Sequence, residues 1–360
     1  KKDLLCRPST IWRYAELLPA YDTNKIVSLG EGMTPVLPCP RLAGKMGLSN
    51  LFVKDESQLP TGSFKSRGMA LAITMANHFG ITSVALPTAG NAGGAAAAYA
   101  ARAGMQCYVF MPQDTPIINQ YEASAAGAHA YLVNGLINDC GRIVSDGKEP
   151  MGWFDLSTLK EPYRIEGKKT MGLELAEQFD WKLPDVIFYP TGGGTGLIGM
   201  WKAFNELRQM GWLDSQTMPR MIAVQSTGCS PIVNAFNNGT KHATPVQNAH
   251  TIARGIRVPG AVGDFMILDA IRQSGGTAVA VDEAAITPWM LRATATEGIS
   301  ICPETGACFA AVEQCLADGT ISAQENIVVF NTGASQKYAE TIACQLPLID
   351  TKQSIDWTAI

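Results

Sequence analysis

The stretch that decides the fold is Pro60-Thr61-Gly62-Ser63-Phe64-Lys65-Ser66-Arg67-Gly68. Apolar residues 51–53, typical of a β-strand, precede it, and the helix-compatible run 69–76 follows. We therefore expect Lys65 on a glycine-containing turn at the start of a helix, with Ser63 as the N-cap. A helix N-terminus disfavours a cation and so favours the neutral amine, the form that attacks an aldehyde. Considered alone, Lys65 is best interpreted as a solvated surface lysine, because lysines are mostly exposed, and it is two further motifs that argue against this.

Composition narrows the classes of protein that the chain can belong to. The 360 residues are 46% hydrophobic and 17% charged, which is ordinary for one large α/β domain or two smaller ones. The net charge of -4 gives no electrostatic case for binding nucleic acid or an anionic membrane. No apolar run approaches the roughly 18 residues that a membrane span requires. We expect a globular protein whose partner is a small molecule.

Cysteine and histidine placement bears on metals and on the compartment. The nine cysteines form no C-x-x-C pair, and the four histidines do not cluster in the sequence. This pattern argues against a disulfide framework or a structural zinc site, and we expect no metal. The scattered cysteines also indicate a reducing compartment, so the expected location is the cytoplasm.

Short apolar runs alternate with helical ones along the chain. Helices are predicted at 91–103, at 197–211 and after residue 166. Strands are predicted at 51–53, 83–87, 107–111, 130–133, 185–189, 221–225, 278–281 and 327–330. Such alternation predicts an α/β fold with open, mostly parallel twisted sheets flanked by helices. The polar segment 139–170 is expected to connect two sheets, and the tail after Leu346 is expected to be peripheral.

A glycine loop lies between the predicted strand 185–189 and the helix after it. It reads Thr191-Gly192-Gly193-Gly194-Thr195-Gly196, and its backbone N–H groups with the helix dipole suit a phosphate. Gly194-x-Gly196-x-x-Gly199 also fits the dinucleotide fingerprint, which expects an acid roughly 20 residues later. The next strand ends at Gln225-Ser226, without a carboxylate. The sequence favours a single phosphate, with a simple tight turn as the other alternative.

Two further loops follow predicted strands. Thr88-Ala89-Gly90-Asn91-Ala92 could bind a carboxylate through backbone N–H groups and the Thr88 hydroxyl. The Asn91 amide could donate to an anionic oxygen such as a phenolate, or Asn91 could simply be an N-cap. The third loop, 331–337, also follows an apolar strand. Ligands in open α/β sheets bind at such strand ends, so these loops together predict one compound site.

These loops, in this order, resemble the fold-type II family of pyridoxal-phosphate enzymes. Within it the chain looks most like the threonine synthases, and the likeness covers roughly residues 11–340. The matching segments are the lysine motif 60–68, Trp12-Arg13-Tyr14, Ser28-Leu29-Gly30-Glu31-Gly32-x-Thr34-Pro35 and Tyr163-Arg164-Ile165-Glu166-Gly167-Lys168-Lys169-Thr170.

The resemblance implies a role for each predicted site residue. Lys65 would bind the aldehyde of pyridoxal 5'-phosphate and move protons. Asn91 would bond the cofactor's phenolic oxygen, and Thr332 would bond its pyridine nitrogen. The cofactor's phosphate would be bound by Gly192, Gly193, Gly194, Thr195 and Gly196. Thr88, Ala89, Gly90, Asn91 and Ala92 would bind the substrate carboxylate. Arg164 is the best candidate for a substrate phosphate because its guanidinium is a bidentate fork, although a structural salt bridge is the alternative. Ser157 and Lys168 are further candidates.

The resemblance further implies a reaction and an architecture. The reaction would convert O-phospho-L-homoserine and water to L-threonine and phosphate. The larger domain would comprise residues 1–66 and 161–347, and the smaller domain residues 67–160. Residues 348–360 would form a peripheral tail, and the cofactor would lie in the cleft between the two domains. A homodimer would be expected.

The chain departs from many threonine synthases in three places. These are the glycine loop 192–196, the loop 88–92, which lacks two hydroxyls, and the segment 334–336. A related dehydratase-like or cysteate synthase-like enzyme therefore remains the alternative, as does a binding protein that kept the fold and lost catalysis.

Overall fold

The computed structural model describes residues 1–342, 346–349 and 357, and most of the predicted tail 348–360 lies outside them. Within the described residues, ten strands form a six-stranded sheet and a four-stranded sheet. The strands are β1 (Val36–Pro38), β2 (Asn50–Asp55), β3 (Ser83–Pro87), β4 (Gln106–Pro112), β5 (His129–Val133), β6 (Phe154–Asp155), β7 (Val186–Pro190), β8 (Arg220–Ser226), β9 (Thr277–Val281) and β10 (Asn326–Asn331).

Helices cover these sheets. They are α1 (Pro40–Met46), α2 (Lys65–His78), α3 (Ala92–Arg102), α4 (Ile117–Ala125), α5 (Ile137–Asp146), α6 (Lys148–Met151), α7 (Tyr163–Gln178), α8 (Thr195–Gln209), α9 (Pro231–Asn237), α10 (Asp264–Gln273), α11 (Glu283–Glu297) and α12 (Pro303–Ala317). Among the described residues, none of the helices is long and apolar enough to span a membrane.

Both sheets are parallel apart from one edge strand. The larger sheet has the order β1-β2-β10-β7-β8-β9, with only β1 antiparallel to its neighbour. The smaller sheet has the order β5-β4-β3-β6 and is parallel throughout. Alternate residues of β7 enter two different hydrophobic cores, Val186 and Phe188 in one and Ile187 and Tyr189 in the other. Burial on both faces explains why the strands read as continuous apolar runs, and the predicted fold class is confirmed.

Two local expectations are wrong. The segment 139–170 is not merely a connection, because it contains α6, most of α5, the start of α7 and the edge strand β6. At two residues, β6 is too short to produce a readable pattern. Ser63 does not cap α2: the N-cap is Phe64, which makes no side-chain cap hydrogen bond, and the Ser63 hydroxyl is buried without a partner.

Helices α2 and α7 approach each other closely where each has a glycine. A Cβ added to Gly167 would lie 2.2 Å from the backbone oxygen of Arg67, and one added to Gly68 would lie 2.9 Å from the backbone oxygen of Arg164. No larger residue fits at either position without moving a helix. The two glycines therefore set the distance between the helix that begins at Lys65 and the helix that contains Arg164.

A buried ionic network holds this crossing in place. Arg67 donates to both oxygens of Glu174 on α7, at 2.6 and 2.7 Å, and also binds Glu56 just after β2. Lys54 on β2 donates to Glu174 at 3.0 Å. Burial alone would raise the pKa of Glu174, but Arg67 and Lys54 lower it to about 2. All of these charges are buried and paired, so removing any one would leave an uncompensated buried charge.

We expect Gly167→Ala to lower the free energy of unfolding by at least about 2 kcal/mol, because the new methyl group would overlap the backbone of α2. Gly141→Ala on α5 is the matched control, since a Cβ there meets nothing within 4 Å. It should stabilise the protein by up to about 1 kcal/mol through helix propensity. Chemical denaturation measures both, and equal effects of the two substitutions would contradict the close crossing of α2 and α7.

Candidate active site

The loops that follow β2 and β10 are joined by main-chain hydrogen bonds. Phe64 N donates to Thr332 O at 3.1 Å, and Ala334 N donates to Gly62 O at 2.9 Å. Because β2 and β10 are adjacent parallel strands, both loops leave the same edge of the larger sheet. This pairing brings the start of α2, at Lys65, next to Thr332.

The Lys65 amine lies 4.2 Å from the centroid of the Phe64 ring. The pKa of Lys65 is lowered to about 7, first by burial and then by the cation of Arg164, with Glu304 acting in the opposite direction. A substantial fraction of this amine is therefore neutral near pH 7. The sequence predicted the direction of this shift from the helix N-terminus, whereas burial and a neighbouring cation cause it in the structure.

The glycine loop 191–196 follows β7 and leads into α8, as predicted. Gly194 has a φ of +67°, a conformation that favours glycine. A Cβ on Gly196 would lie 1.9 Å from the Tyr189 hydroxyl, and one on Gly192 would lie 2.8 Å from a backbone oxygen. Dihedral strain and close packing thus account for three of the four glycines.

The fourth glycine of the loop, Gly193, lies on its open side, where an added Cβ would approach only Thr158, at 3.6 Å. Gln225, near the end of β8, donates to Thr191 O and accepts from the backbone N–H of Ile232. It therefore supports the loop and takes the place where a dinucleotide site has a ribose-binding acid. The arrangement favours a single phosphate at the start of α8.

Lys168 on α7 reaches the glycine loop from one side. Its amine donates to Thr195 Oγ1 at 2.8 Å and lies 5.3 Å from the centroid of the Phe64 ring. Only 1% of the residue is exposed. Burial, followed by the nearby cations Arg164 and Lys65, lowers the pKa of Lys168 well below its ordinary value. An anion placed between these groups would relieve their mutual repulsion.

Arg164 lies one helical turn before Lys168 and is also buried. Its Nη1 donates to Leu156 O at 2.6 Å, and its Nε is buried without a partner. The carboxylate of Glu161 accepts from the backbone N–H of Arg164, and the guanidinium forms no salt bridge to any described carboxylate. The described residues thus include no structural salt bridge to Arg164. Burial lowers the pKa of Arg164, and the carboxylates of Glu161 and Asp155 act in the opposite direction with a smaller effect. The neighbouring Ser157 donates its hydroxyl to Asp155, so this candidate is already engaged.

Asn91 is the N-cap residue of α3, but its side chain does not cap the helix. Its Oδ1 accepts from Asn119 at 3.0 Å, and its Nδ2 donates to the Tyr338 hydroxyl at 3.2 Å. A Cβ on Gly333 would lie 3.5 Å from Asn91 Nδ2, so this amide lies beside the loop that contains Thr332. The structure therefore brings the asparagine loop of the smaller sheet to the loops of the larger one.

The rest of the loop 88–92 presents mainly backbone. The Thr88 hydroxyl donates to Gly90 O at 2.9 Å and accepts from Gly90 N at 3.1 Å. These bonds shape the turn before α3, whose first residue is Ala92. Ala89 lies within the turn and has no polar side-chain group. Thr332 is buried, and its Oγ1 lies 3.8 Å from Cys302 Sγ.

Sequence reasoning missed three residues of this cluster, Asn119, Tyr338 and Glu304. Each is buried, and Glu304 has one carboxylate oxygen without a partner. The backbone N–H of Gly255 donates to its other oxygen at 2.7 Å. No sequence motif marks these residues. Their only distinguishing feature is that their polar side chains are buried, and this becomes visible only once the fold is known.

Comparison with known proteins identifies the family. The model of the family described as pyridoxal-phosphate-dependent enzymes matches residues 27–333. The threonine synthase of Methanocaldococcus jannaschii is 36% identical over 91% of this chain and 80% of its own length. That of Methanosarcina acetivorans is 35% identical over 94% and 84%. The chain therefore belongs to the pyridoxal-phosphate-dependent enzymes, within the group of threonine synthases and their relatives.

Solved structures support the fold independently. A serine racemase from maize superimposes with a TM-score of 0.73 at 22% identity, covering 84% of this chain and 88% of the racemase. Threonine deaminase isoform 2 from Solanum lycopersicum gives a TM-score of 0.73 at 20% identity, covering 93% and 94%. At these identities the likeness concerns the fold alone.

The residues present fit the cofactor of this family, pyridoxal 5'-phosphate. The open side of the glycine loop and the buried amine of Lys168 suit its phosphate, and a lysine with a pKa of about 7 suits its aldehyde. The chain is a pyridoxal-phosphate-dependent lyase of the threonine synthase type.

We expect the Lys65 amine of the cofactor-free protein to react with an acylating reagent with a midpoint near pH 7, since only the neutral amine is nucleophilic. Arg164→Gln should move this midpoint upward, because it removes the neighbouring cation. Mass spectrometry of Lys65 across a pH series measures it, with the exposed Lys241 as the internal reference. An unchanged midpoint in Arg164→Gln would contradict the coupling.

Proposed function

We propose that the protein converts O-phospho-L-homoserine and water to L-threonine and phosphate. The observation that best supports this is the buried guanidinium of Arg164, whose Nε has no partner and which forms no salt bridge to a carboxylate in the described part of the chain, beside a separate cradle for the cofactor phosphate. A buried charge without a partner is costly, so a site that maintains one is suited to an anionic ligand. Because the glycine loop can hold the cofactor's phosphate, Arg164 remains for a second phosphate, that of the substrate.

In this proposal the cofactor is held at four points. Lys65 binds its aldehyde, Asn91 donates to its phenolic oxygen, and Thr332 bonds its pyridine nitrogen. Residues 192–196 bind its phosphate, and Lys168 adds charge from the side. When bound, the cofactor supplies an electron sink for charge that develops on the substrate. A hydroxyl at the pyridine nitrogen, in place of a carboxylate, leaves that nitrogen largely unprotonated and makes the sink a mild one.

The chain's own groups bind the substrate and move its protons. The backbone N–H groups of 88–92, at the start of α3, bind the substrate carboxylate. Lys65, with a pKa of about 7, accepts and returns protons at the α and β carbons. Arg164 binds the substrate phosphate and stabilises it as it leaves from the γ carbon.

We propose that the two sheets belong to two domains, 67–160 and the remainder up to 347, that close over the substrate. Three contacts join the two parts across the proposed cleft. Asp114, just after β4, pairs with Arg257 and accepts from Arg254, and Lys337 pairs with Glu122 on α4. Closure would exclude water from the elimination step. A homodimer in the cytoplasm completes the proposal by family resemblance.

Purified, cofactor-loaded protein should release inorganic phosphate and threonine in equal amounts from O-phospho-L-homoserine. Lys65→Ala should abolish both products while retaining the native circular dichroism spectrum and melting transition. Formation of a 2-oxo acid from threonine or serine, without phosphate release from O-phospho-L-homoserine, would instead establish a dehydratase-like enzyme.

Arg164→Gln should lower kcat/KM for the phosphorylated substrate by about 10- to 100-fold, as expected for a lost charge-assisted bond. Binding of an amino acid without phosphate, followed through the cofactor's absorbance, should change little. Arg142→Gln is the control, since that guanidinium is exposed and pairs with Asp139 on its own helix. An equal loss for both ligands would contradict the assignment of Arg164 to the phosphate.

A further inference from the structure

The Asn91 amide is held by side chains from two different parts of the fold. Asn119, on α4, covers the smaller sheet, and Tyr338 lies in the 3₁₀ segment Ser335–Thr341, after β10 of the larger sheet. Asn119 donates to Asn91 Oδ1, and Tyr338 accepts from Asn91 Nδ2. Both partners are more than nine-tenths buried. Buried polar side chains of this kind are rigid only when their bonds are satisfied.

The direction of these bonds decides what Asn91 can offer to a ligand. An amide has an acceptor end and a donor end, and only the donor end can bond an anionic oxygen. Because the amide nitrogen of Asn119 donates to Asn91 Oδ1, the Nδ2 group of Asn91 faces Tyr338 and the loop at Gly333. Nδ2 has two hydrogens and donates one to Tyr338, which leaves the second for a ligand.

Glu304 determines the direction in which the Tyr338 hydroxyl donates. The Glu304 carboxyl lies beside Tyr338, and burial, followed by Glu304, raises the pKa of Tyr338 well above its ordinary value. The tyrosine is therefore neutral, and its O–H can point to the free carboxylate oxygen of Glu304. Its oxygen then remains an acceptor for Asn91, which is the role that it has in the structure.

We infer that Asn119 and Tyr338 are positioning residues that fix the Asn91 amide with one N–H toward the cofactor's phenolic oxygen. The inference rests on the proposed role of Asn91. Neither residue touches the cofactor in this account; both act through Asn91. Together they make the bound cofactor harder to protonate. The cofactor's phenolic oxygen carries the most negative charge in the deprotonated form, so the hydrogen bond from Asn91 stabilises that form most.

The test is the pH midpoint of the visible absorption of the cofactor bound to Lys65, in holoenzyme without substrate. Asn119→Ala should raise this midpoint by about one pH unit, as expected for one lost bond to a charged oxygen. Ser124→Ala, an exposed position on the same helix, is the control and should leave the midpoint unchanged.

A double-substitution cycle separates positioning from a general structural effect. If Asn119 acts through Asn91, the shift caused by Asn119→Ala should disappear in an Asn91→Ala background. Lys65, Arg164 and Glu304 are present in all four proteins, so their contributions cancel. No shift in the wild-type background, or equal shifts in both backgrounds, would overturn the inference.

The same cycle with Tyr338→Phe, which keeps the aromatic packing, applies if Asn119→Ala does not fold. A smaller shift of the same sign is expected, because Asn119 still orients the amide, and it should again vanish without Asn91. Absence of any visible band in the wild-type holoenzyme would contradict the proposed cofactor site itself. A band whose pH midpoint is the same in Asn119→Ala would contradict only the role of Asn119.

Discussion

The structure depends on the ionic network around Arg67. One guanidinium joins Glu56 after β2 to Glu174 on α7, and it lies two residues beyond Lys65. Neither carboxylate is exposed, so the geometry of the network cannot relax without burying an unpaired charge. Because Gly68 and Gly167 bring the same two helices into backbone contact, the position of the Lys65 amine relative to α7 is fixed from both sides.

The same helix, α7, uses charge in two opposite ways along its length. Near its C-terminal end Glu174 is fully paired, whereas near its start Arg164 and Lys168 are buried and form no salt bridge with any carboxylate that the structure describes. The paired end stabilises the helix in its place, which allows the other end to keep its cations unneutralised. The phosphate-binding site that we propose here needs such support, since buried charges without a carboxylate partner would on their own favour a different packing.

The sequence predicted the parts of this protein that local patterns determine. Apolar runs gave the strands, and glycine-rich segments after them gave the loops at 88–92 and 191–196, because parallel strands place such loops at one edge. The three-residue strand β1 and the two-residue strand β6 were not predicted, because each is too short to show a readable pattern. The predicted cap of α2 was wrong, because the N-cap is Phe64 and the Ser63 hydroxyl has no partner. The sequence analysis did not predict Asn119, Tyr338 and Glu304 for a different reason. Each contacts partners that are more than 25 residues away in the sequence.

The origin of the site in two sheets has a physical consequence for its chemistry. Asn91 belongs to a loop of the smaller sheet, whereas Thr332, the 3₁₀ residue Tyr338 and the first residue of α2, Lys65, follow strands of the larger sheet. A single side-chain bond joins Asn91 to Tyr338, whereas the loops that follow β2 and β10 are joined by main-chain bonds, so a relative movement of the sheets would act on the Asn91–Tyr338 bond. In the closure that we propose, the orientation of the Asn91 amide is therefore linked to the position of the two sheets, because Asn119 and Tyr338 hold it from different sides.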